Sequence, residues 1–270
     1  MRLPKLIETL TRTPLLMTPG SVDTILGILQ TDHAFRAARE GVDQCGRSVE
    51  LEQMTVEDGL ALIPVKGPLG ISLDAFEKGA GATDYADIMR DLAAANENPQ
   101  VQNILLVMDT PGGMMGGLPE CAEAITESEK PVYCYVPAGG TVASAGMWLA
   151  ACCAGRFLSP SAQAGSIGVY CAYTDMSEHA ASMGIKIKVF SSGTYKGMGV
   201  PGTSLTADQE AYLQNSVLEL AQEFYDHIRA QLGNVPDEAM QGQMFRAGEA
   251  VNIGFADDIV SLDDLKTFLS

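Results

Sequence analysis

Asn103-Ile-Leu-Leu-Val-Met-Asp109 runs without a break into Thr110-Pro-Gly-Gly113. A short apolar run closed by turn residues has the length and composition of a buried strand. Similar runs stand at 60–65 (LALIPV), 131–136 (PVYCYV), 168–174 (GVYCAYT) and 185–190 (IKIKVF). Helical patterns lie between them, near 84–95, 117–128, 142–152 and 175–183. Strands alternating with helices predict an α/β domain with a largely parallel sheet, whose reactive groups sit on loops at the strand ends.

Farther out, the longest predicted helix covers about 207–232 and opens with Thr206-Ala-Asp-Gln209, a capping box. Leu213, Val217, Leu220, Ala221, Phe224 and Ile228 recur on it at helical spacing, which makes a packing face. His227 on the same helix reads as a surface or packing histidine. Toward the other end, residues 1–55 read as a separate arm and linker ahead of a domain at 56–270. Short helices are expected at 6–11 and 22–29, split by Thr18-Pro-Gly-Ser21, and a polar linker over 32–55.

Composition narrows the function classes. With 46% apolar and 19% charged residues, a chain of 270 can bury a large core. The formal charge of −17, from 34 acidic against 17 basic residues, repels nucleic acid and anionic lipid. Six cysteines without paired CxxC elements read as reduced thiols of a cytoplasmic protein, and three histidines offer no metal-ligand spacing. Residues 1–20 are interrupted at Glu8, Thr9, Thr11 and Arg12, so they lack the apolar stretch of a signal peptide, and no segment approaches the roughly 18 apolar residues of a membrane span. The expectation is a cytoplasmic protein with no metal and no cofactor.

Three stretches could carry chemistry. In Asp109-Thr-Pro-Gly-Gly-Met114 a strand ends in a turn that no Cβ obstructs, which suits an oxyanion hole; alone, Pro-Gly-Gly is also ordinary turn chemistry. In Ala138-Gly-Gly-Thr-Val-Ala-Ser144-Ala-Gly-Met-Trp-Leu149 a serine stands where a strand turns into an apolar helix, with the N–H of Ala145 next to it. A small residue that lets the helix pack closely would read the same way. In Ser191-Ser-Gly-Thr-Tyr-Lys196-Gly-Met-Gly199 a lysine follows the expected strand 185–190. A lysine acts as a general base only when neutral, so burial must lower its pKa several units from about 10.4. An exposed lysine on a flexible loop would look much the same.

Taken together and in order, these pieces resemble the signal peptide peptidase A family of serine peptidases. The matching segments are Asp109-Thr-Pro-Gly-Gly113, Ala143-Ser144-Ala-Gly146, Gly165-Ser-Ile-Gly-Val169, Ser192-Gly-Thr-Tyr-Lys196 and Gly242-Gln-Met-Phe-Arg-Ala-Gly-Glu-Ala-Val-Asn-Ile-Gly-Phe-Ala-Asp257, spread over about 60–262. The resemblance implies a Clp protease/crotonase-like superhelix of ββα units, here behind an N-terminal helical arm. It also implies Ser144 as nucleophile and Lys196 as its general base. Gly113 and Ala145 would be the oxyanion donors, Gly112 would shape their turn, and Ser166 would orient Lys196 unless it is only a turn serine bonding its own backbone.

Family members of the signal-peptide branch are usually tethered by an N-terminal membrane helix, from which this chain departs. Its Thr13-Pro-Leu-Leu-Met-Thr-Pro-Gly20 and Ile25-Leu-Gly-Ile-Leu29 are similar instead to the start of tailed-phage and prophage head maturation proteases. That resemblance implies a homo-oligomeric endopeptidase in the host cytoplasm or procapsid, with scaffold, portal and coat proteins as partners. The alternatives are a soluble peptidase acting on membrane-derived or cytoplasmic peptides and a non-catalytic relative on the same fold.

Overall fold

Strands buried on both faces occupy the middle of the main sheet, as interior strands of a parallel sheet do. The computed structural model describes residues 15–17 and 53–270. In chain order, β1 (Leu15–Met17) precedes β2 (Thr55–Glu57), β3 (Leu60–Lys66), β4 (Leu69–Gly70), α1 (Ala75–Gly79), β5 (Thr83–Asp84) and α2 (Tyr85–Glu97). Then come β6 (Asn103–Asp109), β7 (Gly112–Met114), α3 (Leu118–Thr126), β8 (Val132–Val136), β9 (Thr141–Ala143), α4 (Ala145–Ala151), β10 (Gly155–Leu158) and β11 (Gln163–Gly165). The rest comprises α5 (Ser177–Ser182), α6 (Ala207–Leu232), a 3-10 turn at Asp237–Ala239, β12 (Met244–Arg246), α7 (Ala247–Asn252), β13 (Asp258–Ile259) and α8 (Leu262–Leu269).

The six-stranded sheet has the order β13-β10-β8-β6-β3-β2, parallel except for the antiparallel edge strand β2. After β6 and again after β8 the chain leaves this sheet, makes a short strand in a second layer and returns through a helix. These are ββα units, β6-β7-α3 and β8-β9-α4. The short strands form two smaller sheets, β1-β7-β4-β5 and β12-β11-β9. A bridge from Thr110 to Val142 joins the two across the layer.

Alternating side chains of each long strand fill two cores. Ile104, Leu106 and Cys134 face the larger one, shared with Ile88 and Leu92 of α2, Cys121 and Ile125 of α3, Leu149 of α4 and Phe224 of α6. Leu60, Leu105 and Tyr135 face the other way, beneath Leu265 and Leu269 of α8. Asn103 Nδ2 donates to the carbonyl of Leu269 at 2.7 Å, tying the end of α8 to the start of β6.

The α/β class, the strands at 60–65, 103–109 and 131–136, and the helix at 207–232 with its Thr206–Gln209 capping box are all present. The strands expected at 168–174 and 185–190 are absent. The place beside β8 is filled by Gly155–Leu158, whose Gly155 and Arg156 hid it from an apolar scan. Residues 185–190 do alternate, but a strand needs a partner. Ile185, Ile187, Val189 and Phe190 are instead exposed, Phe190 to 92%. The helix expected from 142 begins at Ala145, because 141–143 is taken up as β9. The helices expected at 6–11 and 22–29, and most of the expected linker, lie outside the described residues. No helix among the described residues is long and apolar enough to cross a membrane.

Candidate active site

Ser144 stands between β9 and α4, and its backbone is bent into a conformation that L residues rarely adopt, φ +54° and ψ −114°. Such strain costs on the order of 1–3 kcal/mol and persists only where the surroundings impose it. Here its N–H donates to the carbonyl of Gly165 at 2.9 Å, continuing the β9–β11 pairing by one bond, while its carbonyl accepts from Trp148 at 3.1 Å in the first turn of α4. The sharp strand-to-helix turn is the arrangement that thrusts a nucleophile out of a sheet. Ser144 is nevertheless 1% exposed, and its Oγ has no hydrogen-bond partner among the described residues. A buried hydroxyl left unpaired costs about 1–3 kcal/mol.

The Gly-Gly turn lies beside it and is bonded to it. Thr110 N–H donates to the carbonyl of Thr141 at 2.7 Å, and Ala143 N–H donates to that of Thr110 at 3.1 Å. Asp109 Oδ1 accepts from the N–H of Thr141 at 2.9 Å. The buried Thr110 hydroxyl donates to the Gly67 carbonyl at 2.7 Å and accepts from Gly112 N–H at 3.1 Å. That leaves the Gly112 amide engaged. Gly113 is pressed onto β4: a Cβ there would sit 2.0 Å from the Leu69 carbonyl oxygen, so only glycine fits. Gly146 fits for the same reason, since a Cβ would lie 2.5 Å from Thr110 Cγ2. From behind, Tyr85 Oη donates to the Met114 carbonyl at 2.7 Å and holds β7 in place.

Ser166 is the neighbour on the other side. β9 and β11 run parallel with Ala143 opposite Gly165, which puts Ser144 and Ser166 side by side just past the paired residues. Ser166 is buried, has φ +56°, and its N–H donates to the Gln243 carbonyl at 2.6 Å. Thr110 lies opposite Val142, and Val142 opposite Ala164. Gly112, Ser144 and Ser166 are therefore each two residues past one line of pairing, and all three have positive φ (+98°, +54°, +56°).

Lys196 is elsewhere. It is exposed in a turn whose backbone bond runs from Lys196 N–H to the Gly193 carbonyl at 3.1 Å. The turn is moored to α6 by Gln209 Nε2, which donates to the Thr194 carbonyl at 2.7 Å, and by Tyr195 stacked on Tyr212 at 4.9 Å between ring centroids. The structure thus brings together Gly112, Gly113, Ser144, Ala145 and Ser166, and does not bring Lys196 into hydrogen-bond contact with Ser144.

His227 packs and does not reach Ser144. Its ring stacks on Trp148 of α4 at 4.3 Å, with Nε2 3.0 Å from the Trp148 carbonyl and 3.6 Å from Cys152 Sγ. Burial lowers its pKa, partly offset by the carbonyl bond. Burial pushes the Cys121 and Cys134 thiols up to about 12, which leaves them protonated and poor nucleophiles. Among the described residues no group of three His, Cys, Asp or Glu side chains is placed to hold a metal ion. A cleft of about 690 Å³ between β3 and α2, lined by Lys66, Lys78, Asp87 and Arg90, lies apart from the serines. Thr110 and Gln243, which fix the two turns flanking Ser144, stood inside the quoted motifs but carry no chemistry of their own that would single them out by sequence.

Comparison with known proteins gives the chain a family and several relatives. Residues 124–270 match the model of Peptidase family S49. The chain is 32% identical over 218 residues to the capsid assembly protease C of Escherichia phage lambda, covering 79% of this chain and 49% of that protein. It is 29% identical over 213 residues to the head-tail preconnector protein GP5 of Enterobacteria phage P21, covering 77% and 42%. The chain therefore spans about half the length of these curated relatives. Among solved structures it is similar to an enoyl-CoA hydratase/isomerase family member, with a TM-score of 0.46, 14% identity and coverage of 80% and 71%. A membrane-bound stomatin-specific protease in complex with a substrate peptide aligns with a TM-score of 0.44, 17% identity and coverage of 79% and 80%.

Proposed function

Because the chain belongs to Peptidase family S49, we propose that it is a serine endopeptidase of phage or prophage head maturation, cutting scaffold or other capsid-assembly proteins. The observation that carries this reading is the strained turn at Ser144, hydrogen-bonded through Ala143 to the Gly-Gly turn. The likeness to the two phage head proteins supports the choice of substrate class. Scaffold, portal and coat proteins are the proposed partners, a ring of identical subunits the proposed assembly, and the host cytoplasm or procapsid the proposed place of action.

In the proposed reaction Ser144 Oγ attacks a peptide carbonyl while neutral Lys196 takes its proton and passes it to the leaving amine. The N–H groups of Gly113 and Ala145 hold the oxyanion, the acyl-enzyme forms, and water releases it with Lys196 again as base. Ser166, one strand away from Ser144, orients the lysine. For this the 192–199 turn has to leave its moorings on Gln209 and Tyr212 and close over Ser144. Closure also supplies the dry surroundings in which a lysine is held neutral.

The test is co-expression of the chain with tailed-phage scaffold and portal proteins, as wild type and as Ser144→Ala and Lys196→Ala, with intact masses of all products. Discrete fragments of a head protein that vanish in both variants are expected. Cleavage that survives either substitution removes that residue from the mechanism. Hydrolysis of generic peptides without any cut in a head protein would transfer the reading to a general soluble peptidase.

A further inference from the structure

β7 has two edges. One is taken by β4, with Leu69 opposite Gly113. On the other lies β1, antiparallel, with Leu15 opposite Met114, Leu16 opposite Gly113 and Met17 opposite Gly112. β1 thus comes from nearly a hundred residues upstream to pair with the strand that carries the proposed oxyanion donor. Its polarity matters as well. Gly112 is the end of β7 nearest Ser144, since Thr110 is bonded to Ala143. Passing from Leu15 to Met17, the chain therefore advances toward the nucleophile.

This is the path that the acyl side of a peptide substrate needs: extended, hydrogen-bonded along the oxyanion strand, and heading into the site. Strand addition to a free sheet edge is a common way of holding extended peptides, with affinity coming from the backbone. One edge cannot hold two strands. We infer that the Leu15–Met17 segment is a cis-acting occupant of the substrate edge of β7, and that a protein substrate binds only by displacing it. The inference rests on the peptidase reading of Ser144 for its meaning, though the docking itself does not.

The sequence around β1 sets how firmly it holds. Pro14 and Pro19 flank it closely on both sides. Proline has no N–H to give to a ladder, and the described pairing with β7 is confined to Leu15–Met17. Three residues of backbone pairing make a weak hold, strengthened by the tether. A longer substrate strand without flanking prolines would outcompete it. The ligand class that this edge takes is accordingly an extended, proline-free segment of a protein chain.

The experiment uses the full-length chain as wild type, Leu16→Pro and Met17→Pro; alternate residues of an antiparallel strand point their N–H at the partner, so one variant removes a donor from the β1–β7 ladder and the other is its control. Two readouts are taken: hydrogen exchange of the segment containing Gly112–Met114, and the rate at which a fluorophosphonate probe labels Ser144. Faster exchange in one variant and not in the other is expected, with labelling of that variant faster by roughly tenfold, the factor for an edge free about one time in ten. A synthetic peptide of residues 12–20 should slow both again. Unchanged exchange and unchanged labelling in both variants would overturn the inference while leaving the peptidase intact. If the probe reacts with none of the three proteins but exchange rises in either variant, the docking stands and the peptidase reading falls.

Discussion

The N–H of Ala143 donates to the carbonyl of Thr110 at 3.1 Å, so the residue before the candidate nucleophile is bonded directly to the residue that opens the Gly-Gly turn. Misplacing either turn shifts the other, and sub-ångström placement is what separates a reactive serine from an inert one.

Thr110→Val keeps the shape of the side chain but removes the hydroxyl that bridges the Gly67 carbonyl and the Gly112 amide. With both groups left unpaired, stability should fall by about 1–3 kcal/mol in urea titrations. On a peptide substrate kcat should drop roughly 10- to 100-fold with KM little changed, since the loss is of alignment. Thr110→Ser should restore most of both.

Gly113→Ala forces a Cβ against the Leu69 carbonyl. The clash is with backbone on a neighbouring strand, so it cannot be relieved by a rotamer change. A loss of about 1–3 kcal/mol is expected, visible as a lower Tm, together with loss of active-serine labelling.

At Ser144 the strain and the unpaired hydroxyl both disfavour the folded state. Ser144→Gly removes both and should raise stability by about 1 kcal/mol or more, while abolishing hydrolysis. Ser144→Ala removes only the hydroxyl and should gain less. If the alanine variant is the more stable of the two in denaturant titrations, the strain argument is wrong.

His227 gives the fold a pH dependence. Its folded pKa lies below that of the unfolded chain, near 6.5, because burial against Trp148 disfavours the charged ring. Between the two values the unfolded state binds the proton and the folded state does not. The contribution is therefore intact above about pH 6.5 and is lost as pH falls through that value toward the lowered one. Urea midpoints measured from pH 8 to 5 should decline for the wild type and decline less for His227→Gln.

The strand at 103–109, the helix at 207–232 and the turns at Gly112–Gly113 and Ser144 were legible because each is written locally, as an apolar period, a cap or a glycine pair. β10 was not, since Gly155 and Arg156 interrupt its apolar run and its pairing to β8 is decided by tertiary neighbours. Residues 185–190 show the converse: period-two alternation is present, yet no strand forms because nothing described pairs with it. Thr110 escaped attention because its role lies in two hydrogen bonds, to Gly67 and Gly112, that sequence order does not display. The distance between Ser144 and Lys196 is likewise not a local property, and 52 residues of spacing say nothing about it.

Gly112, Ser144 and Ser166 stand on three successive coils at equivalent register, each with positive φ. Neighbouring strands in a sheet lie about 4.8 Å apart, a length fixed by the backbone ladder and among the stiffest in any protein. Ser144 thus stands beside Ser166 at an interval set by the sheet itself, with the Gly112 turn held on its other side through the Thr110–Val142 bridge. Side-chain rotamers have little part in that spacing. The site is in effect ruled onto the scaffold like graduations on a scale, and surface drift in the sequence can proceed without blurring the marks.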